Sequence, residues 1–312
     1  AINGTTATKT FNNLTVNKAG QTLSAGGSTT TLTLNGTLTL TAGTLDAGTA
    51  TAINIAGDWT NNGGTFTPGT STVTFNSTTA AQAINGTTAT KTFNNLTVNK
   101  TGFTLSAGGS TTTLTLNGTL TLTAGTFSVG TATTLNIAGN LTNGGGTLTT
   151  GGTGTINFNG GAAQTIGAYT TYNNVAIANT SGGVTLLGTT TFGGTLTVTT
   201  GTFTVGAFTL TVTGATSVSG TLAITSTTNT KTFTGNVTIN NGGTWNNSGN
   251  AAVSMAGSLQ NDGTFTAGSG VYTFSGTTKT ISGANAVAIP SLTVNGTLSN
   301  SAALTVSTAL AG

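Results

Sequence analysis

The chain of 312 residues has six lysines, three aspartates and a net charge of +3; only 3% of its residues are charged, and histidine, cysteine, arginine and glutamate are absent. Histidine-based triads, cysteine nucleophiles and the usual nitrogen- and sulfur-ligated metal sites are therefore excluded. Phosphate neutralisation by clustered Lys and Arg is excluded too, so no nucleic-acid partner is expected in spite of a sequence pI near 9.5.

In chain order, the first feature is the phrase AINGTTATKTFNNLTVNK at 1–18, which recurs unchanged at 83–100, an offset of 82. The match continues through TLSAGGSTTTLTLNGTLTLTAGT at 22–44 and 104–126. The copies read as 1–82, 83–164, a diverged 165–283 with markers TYNNVAI (171–177) and TKTISG (278–283), and a partial 284–312. Such periodicity is sought first because it decides the architecture.

Inside each copy, apolar–polar–apolar triplets recur about every 20 residues: Leu14–Val16, Leu32–Leu34, Ile53–Ile55, Val73–Phe75, Leu96–Val98, Leu114–Leu116 and onward. TLTLNGTLTLTAGTL (31–45) alternates Leu and Thr on both sides of Asn35-Gly36, which is the period of a half-buried strand. Asn-Gly and Gly-Gly pairs are expected to supply positive φ at tight turns. The 49 glycines forbid long helices. Antiparallel hairpins across the Asn-Gly turns and a propeller with two units per blade are alternatives.

The preferred reading is an all-β, right-handed parallel β-helix (β-solenoid) with coils of about 20 residues, one continuous solenoid over 1–312. It stacks Leu14 over Leu32 over Ile53 in one aliphatic column. About 15 coils at ~4.8 Å predict a rod on the order of 70 Å long.

Individual residues are read against that frame. Asp46, Asp58 and Asp262 look like turn or surface positions: Asp58 is matched by Asn140 and Asp46 by Ser128 in the second copy, and Asp262 lies in an Asn-Asp-Gly turn. Lys9 and Lys91 are expected to be solvated and to aid solubility. Trp59, replaced by Leu141 in the second copy, and Trp245 are expected to pack. Phe11-Asn12-Asn13, Phe93-Asn94-Asn95 and Tyr172-Asn173-Asn174 read as an aromatic core stack with asparagines bonding along a turn. Thr-x-Thr pairs suit an ice-binding lattice but are equally the β-branched, soluble face of any strand. The sequons at Asn35, Asn95, Asn140, Asn236 and Asn295 follow from composition. No catalytic, cofactor-binding or metal-ligating residue is nominated, no cofactor is expected, and no apolar run is long enough for a transmembrane helix.

The phrases TFNNLTV, GTLTLTAGT and VTFN resemble the long β-strand-repeat surface proteins of bacteria and, more distantly, filamentous-haemagglutinin-like and autotransporter-passenger β-helices. The resemblance covers essentially the whole chain. It implies secretion, a right-handed parallel β-helix and a role in adhesion, matrix or filaments. The leading expectation is a non-enzymatic structural subunit of an extracellular or cell-surface filament, sheath or matrix fibre. Its expected partner is itself, in a head-to-tail homopolymer, because neither end of the chain carries a charged cap. An adhesin or glycan-binding stalk, with binding carried by the diverged region 165–250, is the alternative; ice binding is third.

Overall fold

The computed structural model describes residues 1–151, 154–168 and 171–312. Among them every regular element is a β-strand and the strands pair in parallel, in about 14 turns spaced about 21 residues apart. The chain forms two compact units, Ala1–Ile156 and Asn157–Gly312.

In the first unit each turn places three short strand segments, one on each of three faces. The first face stacks Thr8–Phe11, Thr31–Leu34, Ala52–Ile55, Thr72–Phe75, residues 95–98, 120–122 and Leu141–Asn143. The second stacks 14–16, 38–40, Trp59–Asn61, Gln82–Asn85, 105–107, 126–128 and Thr147–Thr149. On the third, 22–24, 44–46 and Thr65–Thr67 form one ladder, and Thr90–Phe93, Thr113–Leu116 and Thr134–Ile137 form another. No ladder joins Thr65–Thr67 to Thr90–Phe93.

The second unit repeats the plan. Val184–Leu186, Thr202–Val205, Thr221–Ile224, Thr244–Asn246 and Thr264–Thr266 form one face. Thr171–Tyr172, Thr190–Phe192, Leu210–Val212, Lys231–Phe233, Val253–Met255 and 272–274 form the next. Asn174–Ala178, Leu196–Thr200, Thr216–Val218, Val237–Ile239, Leu259–Asn261 and 281–282 form the third.

Side-chain alternation sorts each strand. Thr31–Leu34 and Thr113–Leu116 bury every second residue, so Leu32, Leu34, Leu114 and Leu116 are at most 1% exposed while their threonines stay partly open. Each fully buried leucine contributes about 1.5–3 kcal/mol. A single turn cannot hide that face, which is why the unit of stability is the stack.

The expected column of Leu14, Leu32 and Ile53 is not the observed one. Leu14 pairs with Leu38, whereas Leu32 sits between Lys9 and Ile53. Four ladder steps carry Lys9 through Leu32, Ile53 and Val73 to Leu96, yet its copy in the sequence is Lys91, five positions earlier. The 82-residue repeat is thus four turns less one strand segment. Identical phrases fall on different faces: TKTF lies on the first face at 8–11 and on the third at 90–93. The physical reason is that an alternating Thr/apolar strand fits any of three equivalent faces, so corner lengths alone choose the face.

The expected positive φ is met at the Asn-Gly glycines Gly4, Gly63, Gly86, Gly242 and Gly296, but not at every Asn-Gly or Gly-Gly corner. Gly36, Gly118 and Gly194 are not among the positive-φ residues. A Cβ on Gly36 would lie 2.1 Å from Asn13 Oδ1, and one on Gly194 would lie 2.1 Å from Asn174 Oδ1. These asparagines accept the amide of the residue that follows the glycine: Thr37 N–H donates to Asn13 Oδ1 at 2.8 Å, Thr119 N–H to Asn95 at 2.8 Å and Thr195 N–H to Asn174 at 2.9 Å. Corner glycines then stack backbone on backbone, Gly57 on Gly36 in the first unit and Gly214, Gly235 and Gly257 in succession on Gly194 in the second. Positive φ is used elsewhere, as at Gly43 and Gly125 (φ +78° and +77°).

Candidate functional site

Each of the three aspartates is occupied by a turn. Ser24 Oγ donates to Asp46 Oδ2 at 2.8 Å, and Gly48 N–H donates to Oδ1 at 3.0 Å. Ala83 N–H donates to Asp58 Oδ1 at 2.8 Å. Asp262 accepts from Ala284 N–H at 2.8 Å and from Gln260 Nε2 at 2.5 Å, which hold its carboxyl below the ordinary value. No group of three or more metal-type side chains occurs among the described residues.

The tryptophans are core residues. Trp59 is 1% exposed and meets Phe66 and Phe93 edge-on at 4.8 and 4.9 Å. Trp245 is fully buried beside Phe233 at 5.0 Å, and its indole N–H donates to Tyr272 Oη at 3.0 Å. Asn247 Nδ2 donates to the same hydroxyl at 3.2 Å. Burial raises Tyr272 to about 12, partly offset by these two donors. Trp245→Phe should cost roughly 1–3 kcal/mol, because it leaves the buried hydroxyl short of a donor; denaturant titration of the variant measures it.

The solvated reading is overturned at Lys91, while Lys9 stays partly exposed. Lys91 is 2% exposed, and Lys100 and Lys231 are 0% exposed. Lys9, Lys91 and Lys231 stand in register with core residues Leu32, Leu114 and Val253. Each ammonium turns back to the carbonyl three residues earlier: Thr6, Thr88 and Thr228. The stem therefore extends the aliphatic column and the charge caps a corner. Burial lowers Lys91 and Lys231 below the ordinary lysine value.

Lys100 enters a different network. Its Nζ donates to Gln82 Oε1 at 2.7 Å, to Ala80 O at 2.9 Å and to Ser77 O at 3.3 Å. Gln82 also accepts Ser77 N–H at 3.0 Å and donates to Ile55 O at 2.9 Å. Burial pushes Lys100 down to about 8, against an opposing pull from Asp58. In the second unit Asn179 does the same work without charge, donating to Gln164 Oε1 at 2.9 Å and Ala162 O at 2.7 Å. Lys18, the sequence copy of Lys100, is exposed.

A cleft opens where the third-face ladder is interrupted. It is a cavity of about 210 Å³ between Thr65–Thr67 and Thr90–Phe93, walled by Trp59, Phe66, Asn61 and Lys91. At one end Thr88 N–H and Oγ1 donate to Asn61 O at 3.2 and 3.1 Å, tying the two turns together. Composition gave no sign of this cleft; the signal was the insert between Phe75 and Thr90, which lengthens one turn and splays the strands.

The chain matches no known protein family, no curated protein sequence and no solved structure. Its fold and internal repeat define a β-solenoid repeat protein. No helix among the described residues is long and apolar enough to cross a membrane.

Proposed function

We propose that this chain is a non-enzymatic structural protein of an extracellular or cell-surface filament, sheath or matrix fibre, assembled by end-to-end stacking of β-solenoid turns. The observation that supports it is the pair of identical phrases. Residues 83–100 receive the turn before them, with Gly86 packed on the backbone of Asn61 and Lys100 bonded to Ser77, Ala80 and Gln82. Residues 1–18 repeat that phrase residue for residue, so they carry the same side chains for receiving a turn. An unpaired strand edge of matching register is a template for another turn. Repeated head-to-tail contact of this kind builds an open fibre. Scarce charge leaves little repulsion between copies.

The test is negative-stain microscopy and sedimentation of the purified chain and of Lys18→Glu. Concentration-dependent filaments are expected, and the carboxylate of the variant, set against carbonyl acceptors, should abolish them without moving the thermal midpoint. A chain that stays monomeric at every concentration, or a variant that polymerises equally well, refutes the reading. An adhesin or glycan-binding stalk is the second reading, favoured by the aromatic-walled cleft at Lys91; specific retention on a glycan surface by single rods would support it over the fibre.

A further inference from the structure

The cleft of the first unit combines three features not found together elsewhere in that unit. First, it is a break in an otherwise continuous stack. The edges of Thr65–Thr67 and Thr90–Phe93 that face each other are not laddered, so backbone donors and acceptors line the gap and call for a polar occupant. Second, Lys91 stands at its wall, 2% exposed, with Thr88 O as the partner that the structure gives its ammonium. An ammonium has three donors, and a buried one is costly without an opposite charge. The three aspartates are engaged at other turns. Burial is the cause that lowers Lys91, with no carboxylate opposing it. Third, Asn61 lines the cavity with its Oδ1 already accepting Gly63 N–H at 3.1 Å, and its amide nitrogen has no protein partner among the described residues.

The second unit supplies an internal comparison. The corresponding asparagine, Asn261, donates its Nδ2 to Ala286 O at 2.9 Å. There too Thr264–Thr266 and the strand after it, 287–289, are not laddered, but the asparagine amide is taken up by the chain itself. Lys231, as deeply buried as Lys91, has two carbonyl partners, Thr228 O at 2.8 Å and Asn229 O at 2.9 Å. Lys231 stands on a different face from Asn261, so it compares with Lys91 in burial alone, and Asn261 compares with Asn61 in its partner alone.

We propose that the cleft between Thr65–Thr67 and Thr90–Phe93 binds a small carboxylate, whose negative charge is received by Lys91 and Asn61 while its body lies against Trp59 and Phe66. At about 210 Å³ the cavity is smaller than the 300–1,000 Å³ typical of drug-sized ligands. It suits a simple organic acid or the acid group of a single uronic sugar. The aromatic wall and the ring of threonine hydroxyls at Thr65, Thr90 and Thr92 fit either source. The binding does not depend on whether the chain forms fibres.

The experiment is an NMR titration of the intact chain carrying ¹³Cε-labelled lysine, with acetate as probe and glucuronate as a second arm. Lys91→Met, which keeps the apolar stem, assigns the signal. Acetate should raise the titration midpoint of Lys91 by about one unit or more, the usual effect of a close opposite charge, and should leave Lys231 unmoved. Stronger binding of glucuronate than of acetate would support the site and assign the sugar acid as its source. A saturable change in Trp59 fluorescence, lost in Lys91→Met, is the independent readout. Equal shifts at Lys91 and Lys231, or no saturable shift with either acid, overturn the proposal.

Discussion

Gly235→Val should destabilise the second unit by about 3 kcal/mol, at the upper end of what overpacking a tight interior costs. Gly235 stands in the middle of the corner column Gly194, Gly214, Gly235 and Gly257. A Cβ there would lie 2.3 Å from Gly214 O and 2.4 Å from its carbonyl carbon, and the next glycine up, Gly257, is equally close to Gly235 O at 2.2 Å. The obstruction is backbone, which moves only if the turns separate. Separation breaks the ladders on both sides, Thr216–Val218 against Val237–Ile239 and Val237–Ile239 against Leu259–Asn261. Because each turn is stabilised by its neighbours, the loss should spread along the stack. Gly206→Ala is the control: nothing lies within 4 Å of its would-be Cβ, and its φ is not left-handed. It should stay within about 0.5 kcal/mol of the parent. Denaturant melts give the difference, and amide exchange should show lost protection centred on 214–257. Equal stability of the two variants would show that the glycine column is not close-packed.

That column illustrates what could and could not be read from residues alone. Strands and their inward faces were legible, because Leu32 and Leu34 alternate with Thr31 and Thr33 and such alternation has one physical meaning at a half-buried surface. Turn length was legible from the triplet spacing. The choice of parallel stacking over hairpins agreed with the observed ladders, since a turn of about 21 residues returns each strand to its own equivalent. Face assignment was not legible: Leu14 and Leu96 are the same residue of the same phrase and stack forward alike, on Leu38 and Leu120, yet the ladder to Val73 puts Leu96 on the first face and Leu14 lies on the second. The corner between Phe75 and Gln82 sets that, and corners carry no periodicity. The buried lysines were legible in principle. Lys91 and Phe93 are two apart in one strand, so they share a face, and Phe93 is fully buried. Charge suggested water, but parity pointed inward. The proposed fibre and carboxylate site rest on surfaces, where alternation is silent.

The stability of this protein should peak near pH 10, well above the usual range of about 5–8. Lys100 titrates at about 8 in the folded chain against an ordinary 10.5. Between those values the unfolded chain binds the extra proton, so stability rises with pH across that window. Lys91 and Lys231 are shifted in the same direction and add to the rise. Tyr272 acts oppositely. Its folded value of about 12 lies above the ordinary 10, so its contribution is full below pH 10 and is lost as pH climbs toward 12. The opposing slopes meet near 10. Carboxylates titrate well below this window and the chain has no histidine, so the profile is set by its six lysines, three tyrosines and amino terminus. Thermal melts followed by circular dichroism from about pH 7 to 11.5 should therefore show a midpoint that climbs and then falls. Lys100→Met should flatten the climb while leaving the fall, and Tyr272→Phe should do the reverse. A midpoint that declines steadily from neutral pH would mean that the lysines reach water in solution, and that the ammonium of Lys100 is not enclosed by Ser77, Ala80 and Gln82.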